Sequence, residues 1–383
     1  MAETIDVNQN QGEVTPTPRK RMAEQDVAKG IAILGVVLFH ILYIHKDIYA
    51  IFAGSMGFVM SMFFFLSGYN YKPGRTYKEN VLRRVKNLLV PFLIYVSVII
   101  ISLGAYFLIK GTYSFEQIIN AVLYSFTGSK FVAHFGILRT DIADLVFAGI
   151  RVSWFVIMLF IASLIFYAVV DLALKNIKWF ISINVALLAV TIIVAFINYW
   201  PPLYIAESFT IASIMIFGAM FKKYHLFEIR NTLIVVLTSI GAYLTYIVMQ
   251  LFLRGSGLMI AGNMINHFGQ FEGLLVLLYA VIGSYAFVNF CKLVVKVKAL
   301  RIVFTFLGNN SAQLLLLHSF VFVILGEIFH FDAGIVSISA EYTDWMKFLY
   351  AFMTIIIVIG YIFLLMFIEK KIKSRKENKT LTA

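Results

Sequence analysis

Apolar residues fill this chain in stretches of roughly twenty, and short polar or basic segments separate them. Ten such stretches are long enough to cross a hydrocarbon core, which needs about 20 helical residues. They fall at 28–45, 50–69, 88–109, 152–170, 179–197, 203–221, 231–253, 271–290, 302–328 and 346–368. The pattern predicts an all-α integral membrane protein, a polytopic bundle of about ten transmembrane helices. The ninth stretch carries Gly308, Asn309, Asn310 and Gln313, so a broken or tilted helix is expected there.

Outside the spans, two segments keep a helical apolar period. In 75–87 (RTYKENVLRRVKN) and just beyond, Val81, Leu82, Val85, Leu88 and Leu89 recur on one face ahead of Pro91. A basic helix lying along the interface is expected. In the long segment 111–151, Phe115, Ile118, Ile119, Val122, Leu123 and Phe126 form a second stripe. It reads as an interfacial helix, either a plain lid over the bundle or a part of acceptor selection.

Charge orients the bundle. With both termini inside, 25 of the 32 Lys and Arg fall on inside segments and 7 on outside ones. That bias is the one the positive-inside rule asks for, and it gives an N-in, C-in arrangement. The formal charge of +12 therefore reads as orientation, with no nucleic acid implied. Residues 1–25 read as a disordered cytoplasmic tail rather than a signal peptide, 26–368 as the membrane domain and 369–383 as a basic cytoplasmic tail. Cys291 is the only cysteine, so an internal disulfide and a cysteine-based metal site are excluded.

The first span carries the sharpest chemical signal. In DVAKGIAILGVVLFH, Lys29 and His40 are eleven residues apart, close to three turns, on one helix face. They lie about 16 Å apart along the axis. Ionisable groups in lipid are costly and read as functional. A neutral imidazole can take a proton from a hydroxyl and raise its nucleophilicity. Lys29 also has a plain reading, a lysine snorkelling at the span's end. Arg83, Arg84 and Lys86 read either as a solvated basic face or as an anion clamp for phosphates. On a straight helix Arg83 and Lys86 share a face at i,i+3 and Arg84 is rotated away.

Other positions are weaker. Ser67 and Gly68 close MFFFLSGY, where small residues permit close helix approach. Trp154 opens the fourth span as an interfacial anchor would. In LGNNSAQLLLLHS, the polar residues Asn309, Asn310, Ser311 and His318 must face protein or water, and His318 admits a structural or a functional role equally. Glu207 and Glu272 lie near span ends without an assigned role. His45, His134, His225, His267 and His330 read as ordinary loop or interface residues. No Gly-rich phosphate loop, HExxH or GxSxG elbow is present, and no metal or permanent cofactor is expected.

The order KGIAILGVVLFH, FFFLSGY, a basic helix closing on LLVPF, WF at a middle span and a late LGNNS…LLLLH resembles the membrane-bound acyltransferase family 3. That family contains polysaccharide O-acetylases and fucose 4-O-acetylase-like proteins. The resemblance runs from about Asp26 to Phe367. It implies about ten spans in a bacterial plasma membrane, with acyl-CoA (acetyl-CoA) as donor substrate and a glycan hydroxyl as acceptor. It places His40 on the family's catalytic histidine. Lys29 falls where many members carry arginine. The family's RxxR falls on Arg84 and Asn87, so the second basic position is missing, and Arg83 with Lys86 can substitute. Ser67, Gly68, Trp154, Gly308, Ser311 and His318 match recurring positions. An oxyanion donor is sought among Ser67, Asn309 and Asn310. The rivals are a proton-coupled transporter and a polysaccharide flippase or polymerase.

Overall fold

The computed structural model describes residues 22–42, 58–127, 136–150, 152–197, 201–229, 231–255, 272–329 and 344–381. The N-terminal tail to residue 21, His45, His134, His267 and His330 lie outside them. So do the side chains of His40 and Glu272. No strand occurs among the described residues.

The helices, in chain order, are α1 (Ala23–Leu42), α2 (Val59–Tyr69), α3 (Tyr77–Arg84), α4 (Val90–Lys110), α5 (Phe115–Thr127), α6 (Asp144–Ile150) and α7 (Ser153–Ala173). They continue as α8 (Ile177–Ile197), α9 (Ile205–Lys223), α10 (Thr232–Gly255), α11 (Glu272–Val294), α12 (Lys298–Asn309), α13 (Ser311–Ile328) and α14 (Asp344–Leu381). Each expected apolar stretch, where described, coincides with helix. By length and composition six helical runs among the described residues can cross a membrane: Tyr77–Lys110, Val146–Ala173, Ile177–Ile197, Ile205–Lys223, Gly273–Val294 and Ser311–Ile328. Val59–Tyr69, Thr232–Thr245 and Phe352–Leu365 are shorter apolar helices. The first turns of α1 hold Glu24, Asp26 and Lys29, which shortens its apolar part.

Two expectations are refined. The ninth stretch is two helices, α12 and α13, separated at Asn310 (φ −106°, ψ 17°), whose Nδ2 donates to the Phe306 carbonyl at 2.8 Å. The basic segment 75–87 is not a separate interfacial helix. It begins with a capping box, Glu79 N–H to Thr76 Oγ1 at 3.3 Å and Thr76 N–H to Glu79 Oε2 at 2.8 Å. It then runs through a π turn, Val85–Leu89, straight into α4. Pro91 explains the turn. It has no N–H, and its ring would press on a carbonyl one α-turn back. The wider turn, with Val90 N–H reaching Val85 O, relieves that crowding. At the far end Gly111 takes φ +71° and stops α4, and Thr112 N–H returns to Phe107 O at 3.1 Å. Of the α5 stripe, Ile118 is buried, whereas Phe115, Ile119 and Leu123 remain exposed.

Helix α9 lies at the centre, against α2, α7, α8 and α11. Its crossing with α2 is set by two glycines. A Cβ on Gly68 would meet the Met215 carbonyl oxygen at 1.9 Å, and one on Gly218 would meet Phe65 O at 2.0 Å. Helix α1 runs along α12 by the same device. A Cβ on Gly30 would lie 2.0 Å from Phe304 O, and one on Gly308 1.8 Å from Asp26 O. Lipid tails are as apolar as leucine, so close backbone contact between small residues replaces hydrophobic driving force here. Polar pairs fasten α8 to α9: Ser213 hydroxyl to Asn184 Oδ1, and Thr191 to Thr210 at 3.1 Å.

Candidate functional site

One end of the bundle gathers the start of α1 with the chain that follows α2, α7 and α9. Tyr69 hydroxyl donates to Met22 Sδ at 3.3 Å, which brings the end of α2 to the start of α1. Beyond α2, Tyr71 hydroxyl donates to Asp171 on α7 at 2.7 Å. Lys222 on α9 donates to the Tyr71 carbonyl, and Lys223 to that of Leu174. Lys292 on α11 donates to Phe227 O at 2.7 Å. These lysines fix loop carbonyls as well as charge. Burial, then the hydrogen bond to Asp171, pushes the Tyr71 phenol well above its usual range, so it stays a neutral donor.

The expected donor cations separate sharply here. Lys29 donates to Asp26 Oδ1 at 2.8 Å, within α1, and Asp26 is buried. Its charge is therefore matched by a carboxylate. Arg83 and Lys86 are exposed. Arg84, read from the sequence as turned away, is the one that faces the protein. Its Nε donates to the Tyr167 hydroxyl on α7 at 3.1 Å, and an Nη donates to Ser67 Oγ at the end of α2. Among the described residues no carboxylate pairs with it. The inward aim comes from the neighbours: α7 packs against both α3 and the π turn that follows Arg84.

Tyr167 and Tyr71 were not singled out from the sequence. Their rings lie 6.2 Å apart, and Asp171 sits one turn beyond Tyr167 on the same face of α7. The available signal was an acid and a tyrosine at i,i+4 near the end of an otherwise apolar span.

The remaining candidates fall into other groups. The backbone of His40 continues the helix that holds Lys29, so the eleven-residue spacing is helical throughout. Gly308 presses on the Asp26 carbonyl, which sets the α12–α13 break beside the first turns of α1. There Asn309 is exposed, Asn310 caps its own helix, and Ser311 opens α13. His318 is fully buried on α13. Its Nδ1 lies 3.0 Å from Leu314 O, which makes that nitrogen the protonated one, and Nε2 faces Ser319 Oγ at 3.3 Å. Its ring stands edge-on to Phe322, which also packs against Val37 of α1. Trp154 is half-buried, edge-on to Phe155, thirteen residues before Tyr167 on α7. That separation is about 20 Å along the axis, at the opposite end of the helix from Arg84. Glu207, left unassigned above, is buried in the first turn of α9, beside Tyr204 and Leu203, which both take positive φ.

The described residues form a helical bundle with six runs long and apolar enough to cross a membrane, which fits the membrane protein the family resemblance implies. No significant match appears among curated proteins, and none among solved structures. The family model for the acyltransferase 3 domain, described as an acyltransferase domain, matches residues 22–368, nearly the whole chain. The protein is a member of the membrane acyltransferase family 3.

Proposed function

We propose that this membrane acyltransferase moves an acetyl group from cytoplasmic acetyl-CoA to a hydroxyl of a surface glycan or its lipid-linked precursor. The observation that carries the donor half is Arg84. It is a half-buried guanidinium held by two hydroxyls, with no carboxylate partner among the described residues, at the lysine-rich end of the bundle. Such a cation is suited to a phosphate, and guanidinium geometry favours bidentate contact. Lys29, matched by Asp26, serves α1 rather than the donor in this reading, and Arg83 with Lys86 supply a screened outer field.

The transfer step assigned to His40 balances simply. Its neutral imidazole takes the acceptor hydroxyl proton as the oxygen attacks the thioester carbonyl. The tetrahedral intermediate collapses with loss of the C–S bond, and the proton passes to the departing CoA thiolate. General-base help of this kind is worth about 10²–10⁴ in rate. The narrow pantetheine arm can thread the bundle from the basic end, so phosphates stay outside while the thioester reaches the depth of α1's second half.

The break at Asn310 is the observation that favours the rival, proton-coupled transport, since transporters bind at interrupted helices. One experiment separates the two. Proton NMR of the surface glycan from a deletion strain should regain acetyl signals with the wild-type gene and not with His40→Ala expressed at equal level. Unchanged acetyl signals in all strains would remove the glycan reading.

A further inference from the structure

Arg84 lies where three elements meet: the end of α2, the middle of α7's second half, and the junction of α3 with the π turn. Its guanidinium has five N–H donors in a rigid fork. Nε is taken by Tyr167 and one Nη by Ser67, both neutral oxygens. The other Nη meets no acceptor among the described residues. Tyr167 is in turn flanked by the Tyr71 ring at 6.2 Å. The carboxylate one turn away, Asp171, accepts the Tyr71 hydroxyl at 2.7 Å, and Lys222 holds the Tyr71 carbonyl. The acid nearby on α7 thus already has a neutral donor.

We infer that Tyr167 and Ser67 are positioning residues that lock the Arg84 fork by one edge, so that its other edge receives a phosphate of the CoA moiety. The inference rests on the reading of Arg84 as donor anchor. Its physical basis is the difference between an arginine and its uses. A free side chain has several rotatable bonds to order on binding, whereas one already held by two hydrogen bonds meets the phosphate with that cost removed. Neutral hydroxyls orient the guanidinium without cancelling its charge, which a carboxylate would do. Arg83 and Lys86, exposed and unheld, contribute only a diffuse field.

Binding of labelled acetyl-CoA and of S-acetylpantetheine, which lacks the nucleotide and its phosphates, to the full chain in phosphatidylcholine nanodiscs tests this. Arg84→Gln should weaken acetyl-CoA binding about tenfold or more, the range of a charge-assisted contact, and leave S-acetylpantetheine unchanged. Tyr167→Phe and Ser67→Ala should each weaken acetyl-CoA about threefold to tenfold, again sparing S-acetylpantetheine. In an Arg84→Gln background both should do nothing further, because they act through the same guanidinium. If Arg84→Gln leaves acetyl-CoA binding intact, Arg84 serves another anion, such as a lipid phosphate, and the anchor reading itself fails. If Arg84→Gln weakens binding but Tyr167→Phe and Ser67→Ala do not, the anchor stands and the positioning roles are overturned. Equal loss for both ligands, or equal loss in both backgrounds, would make Tyr167 and Ser67 merely structural and overturn the inference too.

Discussion

Lys29 donates to Asp26 across 2.8 Å within the first two turns of α1, and the carboxylate is almost fully buried. The pair belongs to the helix that carries His40, and Gly308 presses on its backbone. Removing one partner of such a pair leaves a charge without compensation. Asp26→Asn should therefore cost about 2 kcal/mol of stability, read as a lower unfolding temperature of the detergent-solubilised protein. Lys29→Arg should be tolerated, since a cation remains beside the acid.

The two glycine crossings should be intolerant in a way that Gly241 and Gly360 are not. Gly308→Ala drives a Cβ to 1.8 Å from a backbone oxygen, and Gly218→Ala to 2.0 Å, so the helices must separate. We expect losses of about 3 kcal/mol and poor accumulation in membranes. Gly241→Ala and Gly360→Ala meet nothing within 4 Å and should be neutral or stabilising by about 0.5 kcal/mol. Size-exclusion profiles of fluorescent fusions compare all four directly.

His318 should prove structural. Both ring nitrogens already face oxygens inside the bundle. His318→Ala is expected to lower stability by about 3 kcal/mol through the cavity it leaves, while the protein that does fold keeps the wild-type pH profile of acyl transfer. A changed pH profile would contradict this.

Tyr71 gives a stability prediction with a definite sign. Its phenol is raised above the ordinary value by burial and by Asp171, so the folded state keeps the proton longer than the unfolded chain. Its contribution is fully present below about pH 10, the unperturbed value, and is lost as the pH rises beyond it. The unfolding-temperature gap between wild type and Tyr71→Phe should be constant from pH 7 to 9 and narrow above pH 10.

Polar pairs between α8 and α9 should matter modestly. Thr191→Val removes the 3.1 Å contact with Thr210 and the 3.2 Å one with Ala206 O. Interhelical hydrogen bonds in membranes average about 0.6 kcal/mol. A loss within about 1 kcal/mol is expected in the same thermal assay, with transfer activity unchanged.

Hydropathy located the long apolar helices because the bilayer imposes a length and a polarity on each. LGNNS announced the interruption at Asn310 by its own composition, and the short helix Asp144–Ile150 was hidden in the segment read as an outer loop. The aim of Arg84 was not legible. A straight 3.6-residue count put Arg83 and Lys86 together and sent Arg84 aside. The deciding facts are tertiary: which neighbours sit beside the basic helix, and the change of winding just after it. Tyr167 was hidden for a different reason. An aromatic inside FIASLIFYAVVDLAL looks like packing, and only its place opposite Arg84 separates it from the phenylalanines around it. The pairing of Lys29 with Asp26 is legible at i,i+3, a spacing that places the two side chains side by side on the helix.

The π turn at Val85–Leu89 works as a phase adjuster. A wider turn adds one residue to the chain without adding a turn to the helix, so everything before it is rotated by roughly 100° relative to the span behind it. Deleting a single residue there would leave the hydrophobic length of α4 intact and every basic side chain present, yet swing Arg84 off the seam between α2 and α7. In this stretch of chain, indexing rather than charge content decides which arginine meets the interior, and a one-residue deletion should do more harm than the loss of Arg83 or Lys86 outright.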